Sequence, residues 1–372
     1  MPQDRAALNH RKGFSAGQGR RQARMPPRFI TEFELIRRLQ QTTPILPRLS
    51  SSIHTGIGDD AAIVKPRPGH VLLASTDLLA ELVHFDFAYM TYRQVGYRAA
   101  VANLSDMAAM GATPRYALVG IALTPKTTAS DVQNLYRGIR EACTMADTAV
   151  IGGDTSASRG TLFVCLTILG EAQARHVLTR SGARRGDVLY VTGSLGDSRA
   201  GCEILRRRKT DPRPMLARDR AYLLKRHIRP TARLAESRKL AHTDLASSAI
   251  DLSDGLAGDL RHICEASSLG AVLDLRRLPV SRSLAGYARA QRRDPLEYAL
   301  IGGEDYELLF TVPMKKVSQV DALIHRGQLC ATSIGRMTAA HEGLRIISPS
   351  GITSPLRTRS YEHHVRANGC PP

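Results

Sequence analysis

The sequence predicts an α/β protein of mixed α+β character built as two domains. Short apolar strand-like runs alternate with helix-period segments, and the alternation occurs twice along the 372 residues. That length suits two domains of ordinary size. Between the two series, EAQARHVLTRSGARRG at 171–186 has few apolar positions and reads as a linker. The expected division is a disordered basic tail at 1–28, an N-terminal domain at 29–170, the linker at 171–186 and a C-terminal α/β domain at 187–372.

Each element has a local reason. Residues 1–28 carry seven basic residues against Asp4 and almost no apolar side chain, a composition that does not fold. Translation from Met25 would remove most of this stretch. Thr31-x-x-Glu34 is a capping box for a helix over about 31–41. Strands are expected at 61–64 and 71–75, then an Ala-rich helix at 91–110 stopped by Gly111. A strand at 116–123 precedes a helix capped by Ser130-x-x-Gln133 and running to about 146, with strands at 148–151 and 161–170. In the second half, a strand at 187–192 turns through Gly193 into a helix from about 198. The basic run RRRKTDPRP at 206–214 is a solvated helix end and loop. Helices at about 216–226 and 231–240 precede a strand at 247–251, and another helix begins near 255. Strands are expected near 271–275, 307–312, 333–336 and 344–347.

Composition narrows the function. Hydrophobic residues at 43% and charged residues at 23% are those of a globular protein. No apolar run approaches the roughly 18 residues of a membrane span, and the N-terminus lacks a signal-type apolar segment. Six cysteines without a C-x-x-C pair read as reduced cytoplasmic thiols, not as a zinc site. The net charge of +18 raises the question of nucleic acid, but aromatics are 5% and no stacking motif or nucleic-acid module is present. An arginine-rich surface explains the charge without a nucleic-acid partner.

The acids are more informative. In a chain with 52 basic and 34 acidic residues, several acids sit inside Gly- or Ala-rich apolar segments. They are Asp59 and Asp60 (GIGDDAAIV), Asp77 (LLASTDLL), Asp106 (VANLSDMAAMG), Asp154 (VIGGDTS), Asp251 and Asp254 (SAIDLSDGLAGDL), and Glu304 with Asp305 (LIGGEDYELLF). Val95, Ala99, Ala102, Asp106 and Ala109 follow helical spacing, which puts Asp106 on a buried stripe. A lone buried carboxylate costs several kcal/mol unless it is paired or binds metal. An arginine partner or a capping role is the alternative for Asp106. Asp77 and Asp154 each end a strand-like run, where an Asx-turn or N-cap is the plainer explanation. Asp251 and Asp254 flank a strand-to-helix turn, where a cap is expected anyway. Taken together, acids at strand ends and helix starts of both halves suit an all-oxygen site for hard cations, Mg²⁺ above all. Such a site commonly joins carboxylates to substrate phosphates, the arrangement of phosphoryl transfer.

GIGDDAAIV also fits a dinucleotide fingerprint through Gly56, Gly58 and Ala61. That reading needs a strand just before Gly56, and SSSIHT does not read as one. The Walker pattern is missing, as are the protein-kinase H-R-D and D-F-G motifs.

Eight motifs in order resemble the thiamine-monophosphate kinase family of the aminoimidazole ribonucleotide synthetase-like superfamily: GIGDDAAIV, STDLLAELVHF, AVANLSDMAAMGATP, IGGDTS, LTRSGARRGD, YVTGSLGDSRAG, AIDLSDGLAGDL and GGEDYELLF. The match runs from about Glu32 to Tyr361. The resemblance implies two α/β domains, the N-terminal one pairing with its twin in a homodimer sheet or barrel. It implies ATP as co-substrate with several Mg²⁺, and direct transfer of the γ-phosphoryl group to thiamine monophosphate. Carried onto this sequence, the metal ligands are Asp60, Ser75, Thr76, Asp77, Asp106, Asp154 and Asp251, with Asp254 in an outer site. Asp60, Asp106, Asp154 and Asp251 form the catalytic acid set, with Asp59 behind Asp60 or pointing away. ATP is held by Tyr136, Gly153, Asp154, Arg180 and Ser253, and the acceptor by His84, Glu304 and Tyr361.

One departure stands out. The family pattern Glu-Gly-x-His-Phe reads Glu81-Leu82-Val83-His84-Phe85 here. If the glycine position has positive φ, Leu82 costs roughly 1–2 kcal/mol or sends the loop along another path. Two alternatives to the kinase remain. One is another ATP-using member of the superfamily, such as a cyclo-ligase-like enzyme, which GGEDYEL disfavours. The other is a basic nucleic-acid-binding protein, which a salt titration of binding distinguishes.

Overall fold

The computed structural model describes residues 32–42, 44–55, 57, 62–207 and 215–357. The expectations at Thr31, Gly56, Gly58, Asp59, Asp60, Ala61, Tyr361 and the basic tail lie outside these residues.

The first half begins with α1 (Glu32–Thr42) and a short hairpin, β1 (Ile53–Thr55) and β2 (Ile63–Val64). Ile53–Thr55 does form a strand, against the sequence expectation. It pairs antiparallel with β2, however, so the next described element after the glycines is a strand and not the helix that a dinucleotide turn requires. Next come β3 (Val71–Ala80), α2 (Tyr92–Ala109), β4 (Thr113–Leu123), α3 (Ala129–Met145), β5 (Ala149–Ala157) and β6 (Phe163–Ala172). The four long strands form one sheet in the order β3-β6-β4-β5, with only β4 and β5 parallel.

Two boundaries are corrected. The strand expected at 71–75 runs on to Ala80, because its residues pair one for one with Phe163–Ala172. Asp77 is therefore inside a strand, and so is Asp154 in β5. The α3 cap is Thr128 with Asp131, not Ser130 with Gln133. The Thr128 hydroxyl accepts from the Asp131 N–H, and the Asp131 carboxylate accepts from the Thr128 N–H at 2.9 Å.

α2 and α3 pack together on one face of this sheet. Gly96 and Gly138 permit their close crossing, since a Cβ there would stand 2.0 Å from the Leu135 carbonyl and 1.9 Å from the Arg93 carbonyl. The core between helices and sheet holds Val95, Leu104, Met107, Leu135, Ile139, Val119 and Leu166. The hairpin covers one corner of the sheet's other face through Leu49, Ile53, Tyr116 and Ile151. Elsewhere on that face Leu72 and Leu78 are 51% and 54% exposed.

The second half contains β7 (Val188–Thr192), α4 (Asp197–Arg206), α5 (Ala217–Ile228), α6 (Leu234–His242), β8 (Ser248–Asp251), α7 (Leu256–Ser267) and β9 (Leu269–Asp274). α8 (Arg282–Ala290), α9 (Pro295–Ile301), β10 (Leu308–Val312), α10 (Val317–His325), β11 (Ala331–Ala339), β12 (Leu344–Ile347) and β13 (Thr353–Pro355) complete it. The strands form a sheet in the order β13-β12-β9-β11-β7-β10-β8, in which only the β12–β9 pair is parallel. One face buries Leu189, Val191 and Leu273 with Leu256, Leu260 and Ile263 of α7. The other buries Tyr190, Phe310 and Val312 with Leu240 of α6 and Val320 of α10. Ala108 and Ala109, at the end of α2, also lie in this second core. α2 therefore runs from one half into the other and carries Asp106 to the boundary.

Candidate active site

A cavity of about 700 Å³ lies where the halves meet. It is lined by Asp77, Asp106, Asp251 and Asp254, and also by Val83, His84, Ile301, Glu304 and Tyr306. Each acid comes from a different local device. Strand alternation puts Ser75 and Asp77 on the face of β3 that meets α2, where the Ser75 hydroxyl donates to the Asp106 carboxylate. Asp251 ends β8 and is 4% exposed. Asp254 follows in the turn to α7, and the Asp259 carboxylate accepts the N–H groups of Asp254 at 3.2 Å and Gly255 at 3.0 Å to brace that turn.

Burial raises the pKa of several of these acids. Burial pushes Asp77 up to about 6, and the charges of Asp106 and Asp254 add to the shift. Burial pushes Asp251 up to about 7, with Asp106 and Asp77 adding and Arg180 opposing. Asp106 is raised by burial, against the Ser75 hydrogen bond and the Arg180 charge. Asp259 stands at about 8 through burial and the charges of Asp251 and Asp254. Asp77, Asp106 and Asp251 are an all-oxygen set in which burial raises each carboxyl, and Arg180 offsets part of the shift at Asp106 and Asp251. Oxygen donors of this kind suit a hard divalent cation, although among the described residues no three of these side chains stand close enough together to hold one as they are.

The expected residues divide into two groups. Ser75, Asp77, Asp106, Asp251, Ser253, Asp254, His84 and Glu304 come together around the cavity. Arg180, in the 3₁₀ turn Arg180–Gly182, is exposed, yet its charge acts on both Asp106 and Asp251. The Ala80 N–H donates to His84 Nδ1 at 3.1 Å, which places the imidazole proton on Nε2. The rest stand apart. The Thr76 hydroxyl lies on the opposite face of β3, bonded to the Leu166 carbonyl at 2.9 Å. Gly153 and Asp154 are exposed on the edge strand β5 and do not line the cavity. Tyr136 is buried in the core beside α2.

Leu82 has φ +69 and is 66% exposed. The loop thus keeps a left-handed residue where the family pattern has glycine, and His84 reaches the cavity.

Several residues at the site were not singled out in the sequence. Arg199, Cys202 and Arg206 line the cavity from one stripe of α4, a spacing that is visible in the sequence. The Arg206 guanidinium bonds the Tyr89 hydroxyl, linking the two halves near the cavity. In GGEDYEL the three acids have three tasks. Glu304 faces the cavity. Asp305 is buried and accepts from the Gly196 and Ser198 N–H groups at 2.6 and 3.1 Å, bracing the start of α4. Glu307 is fully buried and takes a two-point grip from Arg233, both contacts at 2.6 Å, and a third from Arg226 at 2.8 Å.

Comparison with known proteins accords with this architecture. Residues 58–172 match the AIR synthase related protein N-terminal domain, and residues 184–347 match its C-terminal domain. A thiamine-monophosphate kinase of Escherichia coli strain K12 is 40% identical over 335 residues, spanning 89% of this chain and 98% of that one. The crystal structure of a thiamine-monophosphate kinase from Stenotrophomonas maltophilia K279a is 32% identical with a TM-score of 0.74, covering 85% of this chain and 96% of that one. AaThiL, solved in complex with AMPPCP and TMP, is 32% identical with a TM-score of 0.70, covering 90% of this chain and 97% of that one. With its motifs, its two AIR synthase-type domains and its acid-lined cleft, the chain belongs to the thiamine-monophosphate kinase family, a family of ATP-dependent kinases.

Proposed function

We infer that this chain transfers the γ-phosphoryl group of ATP to thiamine monophosphate, giving thiamine diphosphate and ADP in the cytoplasm. The single observation that carries the reading is one cavity that gathers Asp77, Asp106, Asp251 and Asp254 with His84, Glu304 and apolar side chains. Thiamine monophosphate carries groups for both kinds of lining, a phosphate and a cationic heterocycle. AMPPCP and TMP occupy the related AaThiL together.

Several Mg²⁺ ions would be held by Asp77, Asp106, Asp251 and Asp254, with Ser75 beside them. When bound, Mg²⁺ would offset the negative charge of the phosphates and bridge them to the carboxylates. The protein's own groups position and exclude. Ser75 fixes one carboxylate oxygen of Asp106 through its hydroxyl. Arg180 supplies a guanidinium for the ATP phosphates, and Ser253 a hydroxyl. Glu304 faces the acceptor's cation, and His84 presents its Nε2–H. The acceptor phosphate is already an oxyanion and needs no general base, which suits direct, in-line transfer without a phosphoenzyme. Asp60, Thr76, Asp154, Tyr136, Gly153 and Tyr361 complete the proposed set on the family pattern alone.

The N-terminal unit, 29–170, is proposed to pair with a second copy in a homodimer. Support comes from the sheet face on which Leu72 and Leu78 are exposed, an apolar surface of the kind that marks an interface. The linker at 171–186 and the unit at 187–372 complete the proposed division.

Incubation with ATP, Mg²⁺ and thiamine monophosphate, followed by mass analysis, tests the reaction. Thiamine diphosphate and ADP in equal amounts are expected, and neither after chelation. ADP without thiamine diphosphate would overturn the acceptor assignment, and undiminished product in EDTA would overturn the metal assignment.

A further inference from the structure

Arg98 is 1% exposed, lies in α2 of the first half, and does not line the cavity. Its guanidinium crosses to the second half. Nη2 donates to Glu304 Oε1, and Nη1 donates to the His227 carbonyl. Nη1 also stands 3.2 Å from His227 Nδ1, which is 3.1 Å from the Ser198 hydroxyl. Burial and the charges of Arg98 and Arg206 hold His227 well below its ordinary range, so its imidazole is neutral and Nδ1 accepts. The Ser198 N–H in turn donates to Asp305. One buried chain thus connects α2, α5, α4 and the GGEDYEL loop.

This arrangement is a poor device for stability alone. Desolvating a guanidinium is costly, and an apolar side chain of similar volume often serves a fold as well or better. Arg98 Nε also has no partner. Its ion pair is with the carboxylate that faces the cavity, on a residue held at φ +62, where a non-glycine backbone is disfavoured. The backbone bond from the Glu304 N–H to the Ser253 carbonyl, 2.7 Å, and the Arg98 contact hold that conformation from two sides.

We propose that Arg98 is the positioning residue for Glu304 and so sets acceptor affinity from the opposite half of the molecule. It spans the boundary beneath the cavity and fixes Glu304 Oε1, while Oε2 stands 3.7 Å from His227 Nδ1, so that Arg98 and His227 together hold the carboxylate at the cavity wall. The role rests on the acceptor assignment made above. It also makes acceptor recognition depend on how the two halves are docked, while the acids and Arg180 proposed for the phosphates do not involve Arg98.

A double-mutant cycle in the full-length protein tests this. Steady-state rates are measured against thiamine monophosphate and against ATP for wild type, Arg98→Met, Arg98→Lys, Glu304→Gln and the Arg98→Met/Glu304→Gln pair. Arg98→Met is expected to raise the acceptor KM at least about tenfold and leave the ATP KM within about twofold. Arg98→Lys, which keeps the charge and loses the fork, is expected to recover part of the loss. The pair is expected to match Glu304→Gln alone, because Arg98 acts through Glu304. Multiplying effects in the pair, or equal rises in both KM values, would overturn the role. Should Arg98→Met fail to fold, the same cycle is run with Arg98→Lys. Wild type that makes no thiamine diphosphate would overturn the acceptor assignment and this role with it. Active wild type with a multiplying cycle would overturn the role of Arg98 alone.

Discussion

Two groups of acids meet at the boundary of the two halves, and the structure treats them in opposite ways. Glu307 is fully buried between Arg233 and Arg226, and the Thr192 hydroxyl donates to it at 2.6 Å. Asp305 accepts from two backbone N–H groups at the start of α4, although burial still pushes it up to about 8. Asp77, Asp106 and Asp251 are also buried or half-buried but line the cavity; burial raises all three, and neighbouring carboxylates add to the shifts of Asp77 and Asp251. The same residue type thus serves the fold where it is bonded in place and is reserved for a ligand where it lines the cavity. A raised pKa is shared by Asp305, so what marks the site is acids that line a cavity rather than brace the fold.

The contrast can be broken most forcefully at Glu307. Glu307→Gln leaves two half-buried arginines with only their more distant anions, Asp197 at 3.6 Å from Arg226 and Glu236 at 3.4 Å from Arg233, and should cost about 3 kcal/mol of stability. Chemical denaturation reads the loss, and a change under about 1 kcal/mol would show that the pairing is dispensable.

The cavity acids should behave in reverse. Asp106→Asn removes charge from a crowded cluster, so the melting temperature should hold or rise. Turnover should fall by about 10²–10³, the scale of losing one group that stabilises charge in a transition state. A fall in stability matching the fall in rate would erase the distinction between the two groups.

pH sharpens it further. The folded-state values of Asp77 and Asp251, about 6 and about 7, lie above that of an unfolded carboxyl, so the metal-free fold binds more protons than the unfolded chain. Their contribution to stability is fully present below the unfolded carboxyl pKa and declines as pH rises through about 6 to 7. Mg²⁺ competes with those protons. Its thermal stabilisation should therefore be larger at pH 8 than at pH 5.5, reaching about 2.7 kcal/mol at a hundred times its dissociation constant. Equal stabilisation at both pH values would place the binding elsewhere.

The smallest expected effect is at Leu82. Glycine there relieves the strain of φ +69 but adds freedom to the unfolded chain, for a net gain under about 1 kcal/mol. The acceptor KM should stay within about twofold, since the loop already follows the required path.

Much of this was legible in the sequence, for identifiable reasons. The strands of both sheets except β13 announced themselves through apolar runs, and the long helix ends at Gly111, whose φ is +70. Asp106 was legible from helical spacing because α2 is regular up to the cavity. β1 was missed because three residues carry too little pattern, and α8, α9 and α10 are short segments in loop-like composition. Asp259 and Arg98 were missed for a deeper reason. Each acts through another residue, by bracing a turn or holding a carboxylate across the boundary, and sequence spacing carries no trace of such partners. Thr76 shows the opposite limit: a motif names a run of residues, while strand alternation gives Ser75 and Asp77 one face and Thr76 the other.

The most direct test of the account is a paired measurement on wild type and Asp106→Asn, with thiamine diphosphate formed from ATP and thiamine monophosphate read by mass analysis and thermal unfolding read on the same samples. The account predicts product from wild type, at least about a hundredfold less from the variant, and a melting temperature equal or higher in the variant. Undiminished product from Asp106→Asn would contradict it.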